Sequence, residues 1–228
     1  MNLLPQLYVE VSPARAVARP HVIVNFAMSV DGKIALPTRK QTQISDEDDL
    51  RRVHQLRATC DAVLVGVGTI LADNPKLTVK PEHASGRNPL RVVLDSEGRT
   101  PEDAEVLSRA APTLIVTNTE CAKTFPNAEV ARLGKDAVDI PALLDYLGEN
   151  GVQRLLVEGG EEVIWSFLHG RLADELKVFV GSMVIGGRAS PTAAGGAGAQ
   201  TLEEIAPLRL EHAKPLGSGV LLEYAVVR

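Results

Sequence analysis

A single α/β domain, built on a mostly parallel sheet with an antiparallel end, is the fold class that this sequence predicts. Three observations predict it. Short, near-continuous apolar runs alternate with helical stretches, the pattern of βαβ units whose strands are buried on both faces. Past residue 170 the pattern changes to strand-like runs, the last two split by Leu216-Gly-Ser-Gly219, a hairpin signal. At 228 residues, with 45% hydrophobic and 23% charged residues, the chain has the material for one sizeable core.

Met1 to Pro20 is punctuated by Pro5, Ser12, Pro13 and Pro20 and lacks periodicity, so residues 1–20 read as a loosely attached arm and 21–228 as the domain. Strands are expected at His21–Met28, Ala62–Val65, Leu90–Leu94, Thr113–Val116 and Leu155–Val157, then at Glu175–Ile185, Leu208–Pro215 and Gly219–Val227. Helices are expected from about Asp46 to Ala58, after Pro141 and over Glu161–His169. Ser45, followed by Asp46, Glu47 and Asp48, reads as a capping box with an acidic first turn, and Pro141 suits the first helical position. Residues 193–199 form a Gly/Ala-rich loop of the kind that is functional or mobile.

Composition excludes several functions. Twenty-four Lys+Arg against 29 Asp+Glu give a net charge of −5 with the basic residues dispersed, so no nucleic-acid footprint is present. Aromatic residues, at 4%, are too few for base-stacking platforms. Cys60 and Cys121 stand far apart, outside any cluster of metal-ligand spacing, so no metal site is expected. No run approaches the roughly 18 to 20 apolar residues of a membrane span, and Met1–Val11 lacks the regions of a signal peptide. The expectation is a cytoplasmic protein with reduced thiols and a small polar or anionic ligand.

Four constellations bear on chemistry. Ser29, Asp31 and Lys33 cluster where an apolar strand ends, a ligand position in open α/β sheets; Asp31-Gly32 is equally an ordinary tight-turn signal. Val65-Gly-Val-Gly-Thr69 ends a strand and opens a helical turn whose amides could meet a phosphate, with Thr69 and Asp73 on one face. The same glycines, Gly66 and Gly68, would also serve a tight strand-to-helix connection. Arg57 falls on the apolar stripe of Leu50, Val53 and Cys60 and needs an anionic partner, either a structural carboxylate or a ligand phosphate. Glu158 stands at the end of the strand Leu155–Val157, and Gly159-Gly160 then permit close backbone approach to a ligand.

Together, Ala27-Met-Ser-Val-Asp-Gly-Lys33, Leu56-Arg57, Val65-Gly-Val-Gly-Thr69 with Asp73-Asn-Pro and Leu77-Thr, Pro89-Leu-Arg-Val-Val-Leu-Asp95-Ser, and Val157-Glu-Gly-Gly160 resemble the reductase family of riboflavin biosynthesis, over roughly His21 to Arg228. The resemblance implies a dihydrofolate-reductase-like fold and NADPH-dependent reduction of a ribosylamino-pyrimidine 5′-phosphate to its ribitylamino counterpart. It implies cofactor contacts at Ala27, Gly66, Gly68, Thr69, Asp73, Ser96, Gly159, Gly160, Glu161, Glu162 and Val163. It implies substrate contacts at Arg57, Leu77, Lys80 and Glu158, with Arg57 and Lys80 suited to the 5′-phosphate. Lys33 and Glu158, with Asp31 nearby, are the residues expected to polarise the sugar and handle its proton. Arg99 and Asn118 are the candidates for the cofactor's 2′-phosphate.

The resemblance also implies a homodimer, with the β-rich C-terminal segment as a possible interface, and no nucleic-acid or membrane partner. Gln43-Ile44-Ser45 departs from the bifunctional bacterial pattern, which carries Trp here. The deaminase signature of His-x-Glu with Pro-Cys-x-x-Cys is absent, so reductase activity alone is expected. The standalone type implies the 2,5-diamino pyrimidinone as substrate, with the deaminated uracil compound as the alternative. A dihydrofolate reductase proper is a competing reading, but this chain offers an arginine and a lysine suited to phosphate in place of a carboxylate for a pterin; a non-catalytic nucleotide-binding module is another, and the joint presence of Lys33, Thr69, Asp73 and Glu158 argues against it.

Overall fold

Strands whose residues are apolar on both sides need a cover on each face, and this chain builds two cores around one sheet. The computed structural model describes residues 19–39 and 42–227. The strands are β1 (His21–Ser29), β2 (Ala62–Gly66), β3 (Leu90–Leu94), β4 (Thr113–Thr117), β5 (Glu129–Arg132), β6 (Arg154–Val157), β7 (Glu175–Gly181), β8 (Leu208–Leu216) and β9 (Gly219–Val226). The helices are α1 (Glu47–Ala58), α2 (Val67–Asp73), α3 (Ile140–Glu149) and α4 (Glu161–His169). The sheet runs β5-β4-β3-β2-β6-β1-β7-β9-β8. It is parallel from β5 to β7, and β9 and β8 then pair antiparallel.

On one face Val22, Val24, Leu64, Leu155 and Val157 meet Leu143, Leu144 and Leu147 of α3 and Ile164 and Phe167 of α4. On the other, Ile23, Val63, Val65, Ile115 and Leu156 meet Ile70 of α2 together with Leu77, Val106, Leu107 and Phe125. α1 reaches the second core through Leu56, and its two buried residues are polar: Asp49 and His54. That helix therefore packs a polar face, and Leu50 and Val53 line a cavity instead of the core.

The expected strands and helices are present, and the differences have local causes. Asp46, not Ser45, caps α1: its Oδ1 accepts from Asp49 N, while its Oδ2 accepts from Ser218 of the β8–β9 turn. Asp139 caps α3, which places Pro141 one residue past the first helical position. β7 ends at Gly181 and not at Ile185, because the chain beyond it turns back to Asp31. β5, a four-residue edge strand, and the full length of α2 were not expected. Of the arm expected at 1–20, only Arg19 and Pro20 fall among the described residues. Arg19 donates to Leu172 O at 2.7 Å and pairs with Asp174 at 3.0 Å. β8 closes the sheet as an edge strand exposed along almost its whole length.

Candidate active site

Parallel strands deliver their C-terminal ends to one edge of the sheet, and the loops there form the walls of a cleft of about 1060 Å³. β2 ends in Gly66, whose N–H donates to Gly159 O at 2.8 Å. A Cβ on Gly66 would lie 2.8 Å from Val163 Cγ2, so only glycine lets β2 and α4 approach this closely. Gly160, the N-cap of α4, offers no side chain, so amides of the first turn are left for the cleft that Gly160, Glu161, Glu162 and Val163 line. Beyond β3, the fully buried Asp95 accepts from Arg99 N, Thr100 N and Thr100 Oγ1 at 2.7–2.8 Å. This turn brings Ser96 and Arg99 into the same cleft.

The facing wall comes from Ile34, Ala35, Thr38, Arg39, Thr42 and Pro191. Asp31 and Lys33 hold it in place. Asp31 accepts from Ser29 Oγ at 2.6 Å, Ile185 N at 3.0 Å and Gly186 N at 2.7 Å, and the hydrogen bond from Ser29 leads the causes that keep its carboxyl down at about 2. Lys33 Nζ donates to Ser190 O at 3.2 Å, and the Lys33 backbone bridges Thr192. The Gly/Ala-rich loop closes one end: Gly195 N donates to Glu161 O at 3.1 Å, and Gly196 lies against Trp165.

A smaller cavity of about 290 Å³ adjoins this cleft and shares Thr69 and Asp73 with it. Its lining includes Asn25, Ala27, Asp49, Arg57, Leu77 and Glu158. Arg57 and Glu158 form a bidentate pair, Nε to Oε1 at 2.9 Å and Nη2 to Oε2 at 2.7 Å, and Arg57 Nη1 donates to Thr78 O at 3.1 Å. The guanidinium is held protonated by Glu158 in spite of its burial. Behind Arg57, His54 stacks on His83 with ring centroids 5.0 Å apart, and its Nδ1 accepts from Lys80 N.

Most of the residues expected on the cofactor side converge: Gly66, Gly68, Thr69, Asp73, Ser96, Gly160, Glu161, Glu162 and Val163 line the large cleft. Ala27 lines the small cavity, and Gly159 lines neither. Glu158, Arg57 and Leu77 meet in the small cavity. Five of the assigned residues have surroundings of their own. Arg57 has Glu158 as its anionic partner. Lys80 is exposed and lines neither cavity. Asp31 and Lys33 also line neither; the structure does not bring Lys33 to Glu158, and both side chains act as tethers of residues 185–192. Asn118 Oδ1 accepts from Glu120 N and Cys121 N, which leaves Arg99 as the candidate at the cofactor's 2′-phosphate. Asn25 and Asp49 also line the small cavity, and an asparagine amid the apolar residues of β1 was the visible signal for the first.

A long cleft at the strand ends, joined to a compact, charged cavity, defines a reductase-type α/β domain of dihydrofolate-reductase-like architecture. The chain belongs to the RibD C-terminal domain family, whose model matches residues 20–222. It is 43% identical over 214 residues to the 2,5-diamino-6-ribosylamino-4(3H)-pyrimidinone 5′-phosphate reductase of Methanothermobacter thermautotrophicus, covering 91% of this chain and 99% of that protein. It is 44% identical to the reductase of the same name from Archaeoglobus fulgidus, over 78% of this chain and 87% of that one. Among solved structures it superposes on the deaminase/5-amino-6-(5-phosphoribosylamino)uracil reductase of Thermotoga maritima with a TM-score of 0.79 at 30% identity. That alignment covers 92% of this chain and 57% of the larger protein. The yeast riboflavin biosynthesis reductase Rib7 shares the fold, with a TM-score of 0.74 at 21% identity over 95% of this chain and 93% of that one.

Proposed function

We propose that this protein reduces the ribosylamino side chain of 2,5-diamino-6-ribosylamino-4(3H)-pyrimidinone 5′-phosphate to the ribitylamino product, with NADPH, in riboflavin biosynthesis. One observation carries the reading: the cleft and the small cavity meet at Thr69 and Asp73, so a cofactor in the first and a sugar in the second are presented to each other. The names of the archaeal relatives supply the substrate.

The residues present fit a dinucleotide. The uncapped start of α4 and the close passage of Gly66 suit a pyrophosphate, Ser96 lies beside them, and Arg99 offers a cation for a 2′-phosphate. When bound, the nicotinamide would supply a hydride to C1′ of the ring-opened sugar, where the C1′–O4′ bond has broken to leave a carbon–nitrogen double bond and a protonated O4′. The protein's own residues position. Arg57 holds Glu158 with its carboxylate at the cavity, where it accepts from a sugar hydroxyl, and Leu77, 3% exposed, closes an apolar wall. The reading includes a homodimer formed through β8, supported by the exposure of Leu208 and Leu210, 40% and 53%, on an unpaired edge. It also includes a cytoplasmic location, supported by the unpaired Cys60 and Cys121.

The test mixes purified protein with NADPH and either the diamino pyrimidinone or the 5-amino uracil compound, and follows NADPH absorbance. Turnover with the diamino compound at much the higher kcat/KM is expected. Preference for the uracil compound, in line with the Thermotoga relative, would replace the substrate; no turnover with either would sink the enzymatic reading.

A further inference from the structure

Asn25 sits in β1, in the middle of the sheet, and is 5% exposed among the fully buried Val22, Ile23 and Val24. A carboxamide in such surroundings is costly unless its polar atoms are used. Arg52 reaches it from α1, donating Nη2 to Asn25 Oδ1 at 2.8 Å. The same guanidinium grips Asp49 Oδ1 through Nε at 2.8 Å and Nη2 at 2.7 Å. Asp49, with no exposure, accepts from Ser45 Oγ on its second oxygen. Asn25, Asp49 and Ser45 all line the small cavity that holds Glu158. Arg52 Nη1 remains buried without a partner, so the side chain gives up one donor to keep this arrangement.

A guanidinium can only donate, which settles how the carboxamide is turned. Its oxygen faces Arg52, and its two N–H groups face away. Asp49 locks the guanidinium in turn, so the flip open to an ordinary asparagine is closed here. Among the described residues Asn25 Nδ2 has no partner, and the cavity is the space it borders.

We propose that Arg52 is a positioning residue for substrate selection: it fixes Asn25 as a hydrogen-bond donor to the small cavity, where the amide binds an acceptor of the pyrimidine, a carbonyl oxygen or an unprotonated ring nitrogen. The proposal rests on the reading of this cavity as the pyrimidine site. A ring that turns an N–H toward Asn25 opposes donor to donor and is disfavoured, so the pair selects ring edges by their acceptor pattern.

Asn25→Asp is the decisive variant. It keeps an oxygen for Arg52, so the buried contact survives, but it presents an acceptor in place of the amide donor. The expected result is a KM for the pyrimidine phosphate raised by at least about tenfold, the loss of one hydrogen bond or more. The KM for NADPH should stay within about twofold, and the melting temperature should not fall. Arg52→Met should raise the same KM, and Arg52→Lys, which restores a donor, should recover part of the loss. If Arg52→Met does not fold, Asn25→Asp decides alone. A folded N25D variant with the wild-type KM for the pyrimidine overturns the proposal. Wild-type protein that turns over neither pyrimidine overturns the functional reading and this proposal with it; wild-type turnover with an indifferent N25D overturns this proposal only.

Discussion

Arg57 and Glu158, 101 residues apart in the chain, face each other in a two-hydrogen-bond pair with side chains 16% and 9% exposed. Such a pair is expensive to break from one side, because the survivor is a buried, uncompensated charge. Arg57→Ala should cost about 3–5 kcal/mol in urea denaturation. Glu158→Gln, which keeps the shape and one acceptor, should cost about 1–3 kcal/mol. In the double variant Arg57→Met with Glu158→Leu no charge is stranded, so its loss of stability should be smaller, by more than about 1 kcal/mol, than the summed losses of Arg57→Met and Glu158→Leu made singly. Additive losses would show that the two side chains do not depend on each other. Catalysis should fail in all three, since the carboxylate is then absent, neutral or misplaced.

Gly66 and Gly68 look alike in the sequence and differ in their surroundings. A methyl group on Gly66 would press on Val163 Cγ2 and push the start of α4 from the end of β2. Gly66→Ala should therefore lower stability by about 1–3 kcal/mol and raise the KM for NADPH. A methyl group on Gly68 meets nothing within 4 Å and sits in α2, where alanine is the better helix former. Gly68→Ala should leave stability unchanged or raise it by up to about 1 kcal/mol. Thermal melts of the two variants separate these outcomes; equal losses would show that the approach of α4 to β2 is not what requires glycine.

The contrast shows where the sequence was informative. Strands buried on both faces announce themselves, as Val22–Val24 and Ala62–Val65 do, because both sides must be apolar. Glu158 was conspicuous for the converse reason, as a charge at the end of such a strand. The stripe of Leu50, Val53 and Cys60 is split in the structure: Cys60 enters the second core, while α1 buries Asp49 and His54 and gives Leu50 and Val53 to a cavity. Periodicity reports which residues share a face, not whether that face meets core or ligand. Asp31 and Lys33 show the limit of local signals: Asp31-Gly32 announced a turn, while the tethering of residues 185–192 by both side chains is visible only in three dimensions. Contacts across more than 150 residues leave no local trace.

Arg99 is the basic side chain that the Asp95 turn brings into the large cleft beside Ser96. A guanidinium there distinguishes a 2′-phosphate from a 2′-hydroxyl by a charge-assisted hydrogen bond. Arg99→Ala should raise the KM for NADPH about tenfold and leave that for NADH within about twofold, as steady-state kinetics with each cofactor would measure. An equal rise for both cofactors would place Arg99 on the shared part of the dinucleotide instead.

His54 is 5% exposed, and its ring is pushed down from the ordinary 6.5 to about 4, first by burial and then by the charges of Arg57, His83 and Lys80. The folded protein therefore holds it neutral, with Nδ1 free to accept from Lys80 N. Between about pH 6.5 and pH 4 the unfolded chain binds a proton at this site that the folded chain does not, so stability falls as pH falls through that window. The slope from one such group approaches 1.4 kcal/mol per pH unit. His54→Gln keeps an acceptor for Lys80 N and removes the titration. Urea unfolding at pH 7.5 and at pH 5 should show the wild type losing about 1–2 kcal/mol more than H54Q. Parallel losses in the two proteins would mean that His54 takes up its proton without unfolding, and that the stack on His83 beside Arg57 and Glu158 tolerates another positive charge.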